Sequence, residues 1–347
     1  MFNSYRAGKP GTFLKGEKMR RTLVSAVAAA AVTASLFAAT PAQAAEVDIK
    51  GSGSSFAGNF LIDCASRYTA KTGNKVSYTA TSSGKGRAAF AAGTDHFAGS
   101  DSLYGATEAK PGAYATVPVI GGPVAIIFNV AGVSNLRLDA VTTSQIFSGT
   151  IKKWNDDKIK KLNPKATLPD KDFVVVYRSS NSGTTQNLQN YFQETVGGAW
   201  PAANQAWIGV KTGSGQATSA DLVAKVKSTS GAIGYADLSD VGVKLGKVTL
   251  KNAKGEWVKP SVASSSKMLS KQVIAADGSI DMNFTKKIAG AYQLSIPTYL
   301  MIPTAGDKAT AAKAFAKYAI DTCSKKPAKG YAGFKGKNYT PALKIVQ

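Results

Sequence analysis

From residue 45 onward, short apolar strand-type runs alternate with stretches of helical spacing. That alternation constrains the fold more than any other feature of the chain. Val47–Lys50 leads into a Gly/Ser loop and then helical spacing over Asn59–Lys71. Lys75–Ala80 reads as a strand and Arg87–Ala92 as a helix. Thr116–Val130 reads as two strands around Gly121-Gly122-Pro123, and Ser144–Phe147 begins a helical turn. Phe173–Tyr177 is a buried strand, with helical spacing following over Thr184–Glu194. Asp221–Ser228 is helical, Ala232–Tyr235 and Ser295–Pro303 are strands, and Ala309–Cys323 is a long amphipathic helix. Strands alternating with helices predict an α/β fold with mostly parallel sheets. With 347 residues, 44% of them hydrophobic, there is material for one large domain or two medium ones.

Residues 1–44 read as a leader rather than as part of that fold. Met19-Arg20-Arg21 is a basic start, Thr22 to Ala39 is a small apolar run, and Pro41-Ala42-Gln43-Ala44 ends in an A-x-A pattern. This order predicts a secretory signal peptide cleaved after Ala44. A membrane anchor is the alternative, but the run is barely long enough to span a bilayer. Met19 would serve as a start as well as Met1, and no Cys stands at the cleavage point to take a lipid. The expected location is the periplasm or the extracellular and cell-wall space, with the chain soluble after cleavage. In such an oxidising compartment the two cysteines, Cys64 and Cys323, favour one disulfide. Two separate buried thiols are the alternative.

Formal net charge is +22. Arg6, Lys9, Lys15, Lys18, Arg20 and Arg21 against Glu17 account for +5 in the leader, which leaves +17. That field favours anions and anionic polymers. The lysines are scattered and no basic run is interleaved with aromatics, so nucleic acid is not an expected partner.

In an α/β fold, ligands sit where strands end and helices begin. Exposed N–H groups and the helix dipole favour anions there. Three segments follow this grammar: Gly51-Ser52-Gly53-Ser54-Ser55-Phe56, Thr81-Ser82-Ser83-Gly84-Lys85-Gly86, and Arg178 followed by Ser182-Gly183-Thr184. Each of the first two, alone, is most often a plain turn. Arg178 offers a planar fork suited to two oxygens of an oxyanion. A fourth segment, Phe97-Ala98-Gly99-Ser100-Asp101, ends in a carboxylate. A buried carboxylate accepts a hydrogen bond only from a ligand that carries a proton. Phosphate near neutral pH does, and sulfate does not; a fully ionised ligand would be repelled and leave an acceptor unpaired.

In this order, the motifs GSGSSF, SSGKG, FAGSD and RSSNSGTT resemble those of the substrate-binding protein of the high-affinity phosphate ABC transporter. PVIGGPVAIIFNVAG, IFSGTIKKWNDDKIKKLNP and STSGAIGY are also similar to that family, and the match spans nearly all of the mature chain. The resemblance implies a two-lobed periplasmic-binding-protein-like fold of type II with two crossing hinge strands. Lobe 1 would be 45–120 plus 294–347, and lobe 2 would be 121–293. Cys64 and Cys323 would then share lobe 1. The implied function is binding of inorganic phosphate for uptake, with no catalysis, cofactor or metal. The implied ligand set is Ser55, Phe56 through its backbone N–H, Ser83 (with Ser82 one register away), Asp101, Arg178, Ser182, Gly183 and Thr184. The implied partner is the transporter's membrane permease, the chain itself being a monomer. Three departures stand out: Ser180 replaces the family's usual acid two residues after the Arg, Lys85 adds charge to the second loop, and no Cys stands at the cleavage point for the lipid anchor common to the family in one-membrane bacteria, which leaves room for a freely secreted or periplasmic role.

Other readings remain. A secreted protein binding anions, phosphoesters or anionic polymer would also use the positive field. Ser82-Ser83-Gly84-Lys85, Ser100-Asp101-Ser102 and Lys211-Thr212-Gly213 follow the order of a serine penicillin-interacting enzyme. The third residue of the middle motif is wrong for that, and the first gap is short. His96 stands beside Asp95 with no second ligand at metal spacing.

Overall fold

The computed structural model describes residues 48–242, 245–334 and 339–347. The expected leader and the residues up to Val47 lie outside the described residues. From Ala45 the chain clusters into one compact unit.

Thirteen strands are present among the described residues: β1 (Ile49–Gly53), β2 (Val76–Ala80), β3 (Phe97–Ser100), β4 (Tyr114–Asn129), β5 (Arg137–Leu138), β6 (Val174–Val175), β7 (Tyr177–Arg178), β8 (Gly215–Gln216), β9 (Ala232–Asp237), β10 (Gly246–Lys247), β11 (Thr249–Lys251), β12 (Trp257–Val258) and β13 (Ser295–Pro303). The helices are α1 (Gly58–Thr72), α2 (Ser83–Ala91), α3 (Ala140–Ser148), α4 (Asp157–Leu162), α5 (Gly183–Val196), α6 (Ser219–Ser228), α7 (Val262–Leu269), α8 (Ala309–Tyr318) and α9 (Tyr339–Lys344).

One eight-stranded sheet carries the core, in the order β2-β1-β3-β13-β4-β9-β6, with β10 also on β4. β3, β9 and nearly all of β4 and β13 are buried, so these strands are covered on both faces. That is why they read as unbroken runs of apolar and small residues, without polar alternation. Pairing is parallel at the flanks, in β1–β2, β1–β3 and β6–β9. It is antiparallel at the centre, in β3–β13, β13–β4 and β4–β9. The sheet is therefore mixed rather than mostly parallel.

Gly121-Gly122-Pro123 does not divide β4. The strand runs straight through, pairing with β13 up to Pro123 and with β9 from Val124. The glycine is needed for close approach instead of a turn. A Cβ on Gly121 would lie 2.5 Å from Leu269 Cδ1 and 2.8 Å from Ile296 O. Gly121 also exchanges two backbone hydrogen bonds with Ala332. The run Phe173–Tyr177 divides instead: β6 joins the large sheet, while β7 pairs with β8. The expected long C-terminal helix is α8 followed by a π-helical turn over Ala319–Cys323. That turn delivers Cys323 to Cys64 on α1, and the two form a disulfide.

Trp154 is fully buried against Phe173 and Phe128, and its Nε1 donates to Gly231 O at 3.1 Å. No helix among the described residues is long and apolar enough to cross a membrane.

Candidate functional site

The strands reaching the site end in turns of small residues that pass the backbone into helices. β1 ends at Gly53, with φ at 139°, where a Cβ would lie 2.0 Å from Gly99 O. Only glycine fits so close an approach. The next residue, Ser54, accepts from Ala57 N at 3.1 Å and donates to Asp101 Oδ1 at 2.6 Å.

β2 leads into α2, which is capped by Ser82: its Oγ accepts from Lys85 N at 3.4 Å. Ser83 faces Asp101 instead. Its Oγ accepts from Asp101 N at 3.1 Å and lies 3.5 Å from Asp101 Oδ2. α5 is capped by Ser182, whose Oγ accepts from Thr185 N at 3.3 Å. In the first turn of α5, Thr184 Oγ1 donates to Asp101 Oδ2 at 3.0 Å. A Cβ on Gly183 would meet Ser83 Oγ at 2.7 Å and Asp101 Cβ at 2.9 Å, so α2, α5 and Asp101 pack together only around a glycine. α6 starts beside Ser55, with Ser219 N donating to Ser55 Oγ at 3.0 Å. The starts of α2, α5 and α6 and the turn before α1 are thereby linked through one set of contacts. The first N–H groups of a helix have no intrahelical acceptor and favour negative charge.

Asp101 is 2% exposed and receives hydroxyl donors on both oxygens. Thr298 Oγ1 donates to Oδ1 at 2.7 Å, beside Ser54. Burial pushes its carboxyl above the usual carboxylate range. The bonds from Ser54, Thr298 and Thr184, then the charge of Arg178, pull it back toward ionisation.

Arg178, at the end of β7, is also 2% exposed. Its backbone N–H donates to Tyr235 Oη, which also bonds Thr185 Oγ1 at 2.6 Å. Its Nε and Nη2 both donate to Ala217 O, at 3.1 and 2.6 Å, and Nη2 reaches Thr81 O and Ser180 Oγ. These side-chain partners are all neutral. Ser180 in turn donates to Ala217 O at 2.9 Å, so its hydroxyl helps hold the guanidinium. Burial lowers the pKa of Arg178, while the charges of Tyr235, Asp101, Asp237 and Asp221 raise it.

Of the residues expected from sequence, Ser83, Asp101, Gly183 and Thr184 are in mutual contact. Arg178 is tied to α2's loop through Thr81 O, and Ser55 lies at the start of α6. Phe56 has its ring in the core, and its carbonyl accepts from Tyr331 Oη at 2.7 Å. Ser182 uses its hydroxyl as a cap acceptor. Ser54, Thr298, Ser219 and Tyr235 were not anticipated. Ser54 belongs to the same Gly/Ser loop and could have been suspected; Thr298 lies inside an apolar strand and carries no local signal.

The remaining motifs have structural uses. Thr212 Oγ1 accepts from Val175 N at 3.0 Å, and Ser82 caps α2. His96 Nδ1 accepts from Lys50 N at 3.0 Å. Asp101 also lines a cavity of about 220 Å³ with Asn187, Asn190, Glu194 and Asp281. That side is acidic, whereas the donors gather around the helix starts.

Residues 38–322 match the family model of the PBP superfamily domain. The chain is 34% identical over 268 residues to the phosphate-binding protein PstS 3 of Mycobacterium leprae (strain TN), covering 73% of each chain. It is 32% identical over 274 residues to the phosphate-binding protein PstS of Xylella fastidiosa (strain Temecula1 / ATCC 700964), covering 75% of this chain and 73% of that one. Among solved structures, it is similar to a high affinity periplasmic phosphate-binding protein (PfluDING) bound with phosphate. There the TM-score is 0.67 at 21% identity, covering 86% of this chain and 93% of that one. A putative phosphate ABC transporter substrate-binding protein with bound phosphate from Clostridium perfringens gives a TM-score of 0.59 at 19% identity, covering 83% and 100%. These two structural likenesses speak to the fold.

Proposed function

The chain belongs to the PBP superfamily and, within it, to the PstS phosphate-binding proteins, and on that premise we propose that it binds inorganic phosphate outside the cytoplasmic membrane for uptake by an ABC transporter. The observation that carries this reading is the buried carboxylate of Asp101, ringed by hydroxyl donors where helices begin. Hydroxyls and helix N–H groups alone would take any oxyanion. A carboxylate among them rewards only an anion that still has a hydrogen to donate.

The proposed ligand set is Ser55, the N–H of Phe56, Ser83, Asp101, Arg178, Ser182, Gly183 and Thr184. Asp101 accepts the proton of bound phosphate, Arg178 holds its oxygens with charge-assisted bonds, and the rest replace water. In this reading Thr184 and Ser83 turn from Asp101 Oδ2 to the ligand, and Oδ2 takes the ligand's proton. The lobes are 45–120 with 294–347 and 121–293. Support for that division is the change of partner along β4, from β13 to β9, between Pro123 and Val124. Closing two lobes about the anion is a binding step without chemistry. The chain acts as an exported monomer after loss of its leader, delivers phosphate to a membrane permease, and has no nucleic-acid partner.

Isothermal titration of residues 45–347 with phosphate, sulfate and arsenate tests the reading. Phosphate should bind and sulfate should not. Asp101→Asn supplies an amide donor where the carboxylate stood, so it should narrow the preference for phosphate over sulfate. Equal binding of sulfate and phosphate by the wild type would refute the assignment.

A further inference from the structure

The small sheet β5-β11-β12 is built from none of the residues around Asp101, and its two faces differ sharply. β11 pairs with β5 through Thr249–Arg137 and Leu250–Leu138, and with β12 through Leu250–Val258 and Lys251–Trp257. Side chains alternate across a strand. The register therefore puts Leu138, Leu250 and Val258 on one face, and all three are buried. It puts Arg137, Thr249, Lys251 and Trp257 on the other, and Lys259 continues that alternation. The guanidinium of Arg137 lies 5.5 Å from the Trp257 ring centre, and Lys251 Nζ lies 5.9 Å from it.

A plain solvated face would be convex and mixed in charge. This one is concave. Segments 132–135 and 162–167 border a groove of about 890 Å³, with Arg137, Thr249, Trp257, Lys165 and Lys259 among its lining and no acidic residue. None of Arg137, Lys165, Lys251 and Lys259 has a carboxylate partner among the described residues. The acids near them in sequence are engaged elsewhere: Asp139 accepts from Thr142 N, and Glu256 from Gly290 N and Asn252 Nδ2. Unpaired like charges around a concavity repel one another, and an anion in the groove relieves that.

We propose that this groove is a second binding site, for an anionic polysaccharide. Its acid groups lie against Arg137, Lys165 and Lys259, and the C–H face of a sugar meets the part of the Trp257 ring that Arg137 and Lys251 leave uncovered toward the groove. The volume suits a few sugar units rather than one small ion. A single aromatic ring distinguishes it from single-stranded nucleic-acid grooves, where successive bases stack on several rings.

The test uses residues 45–347 and four probes: polygalacturonate, neutral dextran, inorganic polyphosphate and single-stranded DNA. Polygalacturonate should bind and dextran should not. Arg137→Ala with Lys259→Ala should weaken polygalacturonate binding by about tenfold or more and leave phosphate titration unchanged. Lys110→Ala with Lys287→Ala removes the same charge outside the groove and should change binding by less than about twofold. Trp257→Ala should weaken polygalacturonate more than polyphosphate. Should the first double variant misfold, Lys165→Ala, on an exposed segment, reads the same contact. Equal losses in the two double variants would overturn the proposal in favour of a diffuse charge field. Tighter binding of DNA or polyphosphate through the same residues would overturn the polysaccharide assignment.

Discussion

Thr298 and Asp101 stand 197 positions apart in the chain, and the hydroxyl of Thr298 donates to Asp101 Oδ1 at 2.7 Å. Ser54 donates to the same oxygen. Oδ1 is thus occupied by two residues outside the proposed ligand set, while Oδ2 meets Thr184 and Ser83, which are inside it. On the proposed reading the two oxygens have different work: Oδ1 keeps its two donors, and Oδ2 exchanges Thr184 and Ser83 for the ligand.

Thr298→Val keeps the side-chain shape and removes the donor, and Ser54→Ala removes the other. Both bonds favour ionised Asp101, so losing them lets the carboxyl keep its proton to higher pH. A protonated Asp101 donates instead of accepting, and so admits sulfate. Competition titrations of phosphate and sulfate across pH should show sulfate binding appear at higher pH in the double variant than in the wild type. Thr298→Ser should restore the wild-type profile. A profile that does not move would count against the pinning of Oδ1.

Arg178 binds three neutral acceptors at once, through a planar fork that lysine lacks. Arg178→Lys should keep the charge and still weaken phosphate by about tenfold or more, with Arg178→Ala weaker again. Titration calorimetry separates this from a pure charge effect. If lysine binds phosphate as well as arginine does, geometry is irrelevant there.

Asp237, at the end of β9, is buried beside Asp240. Its Oδ1 accepts from Ser239 Oγ and Asp240 N, and its Oδ2 has no partner among the described residues. Burial first, then the charge of Asp240, holds its carboxyl well above the usual range. Between the ordinary carboxylate pKa and that raised value, the folded chain keeps a proton that the unfolded chain has released. Stability should therefore fall as pH rises through this window. Asp237→Asn cannot titrate and should flatten the curve of melting temperature against pH. The same slope in both proteins would show that Asp237 is not its source.

The Cys64–Cys323 bridge spans 259 residues. In the chain-entropy account, a loop of that length constrains the unfolded state by up to about 5.5 kcal/mol, and strain or residual unfolded-state structure brings the usual effect down to about 2–4 kcal/mol. Reduction, or Cys64→Ser with Cys323→Ser, should lower the denaturant midpoint clearly. Because the bridge ties α1 to the turn after α8 rather than touching Asp101, phosphate affinity should change by less than about threefold. Loss of binding along with stability would indicate that the bridge holds the first loop in place.

Much of this protein was settled by short stretches of its chain. Ser82 and Ser182 sit where helix caps belong, Gly53 and Gly183 where only glycine fits, and Arg178 where a strand gives way to a turn. Hydrogen bonds over three or four residues create such signals, so they can be read locally. The tertiary structure decided the rest. Gly121-Gly122-Pro123 looks like a break, yet Ala332 and Leu269, far along the chain, approach so closely that a straight strand needs a glycine there. The direction of β13 leaves no mark in its composition, because a strand buried on both faces is apolar whichever way it runs. That Ser83 and not Ser82 meets Asp101, and the contacts of Ser54, Thr298 and Ser219, depend on partners 18 to 197 residues distant. A hydroxyl acquires its acceptor only when separate elements are packed together, and no local pattern of residues encodes that meeting.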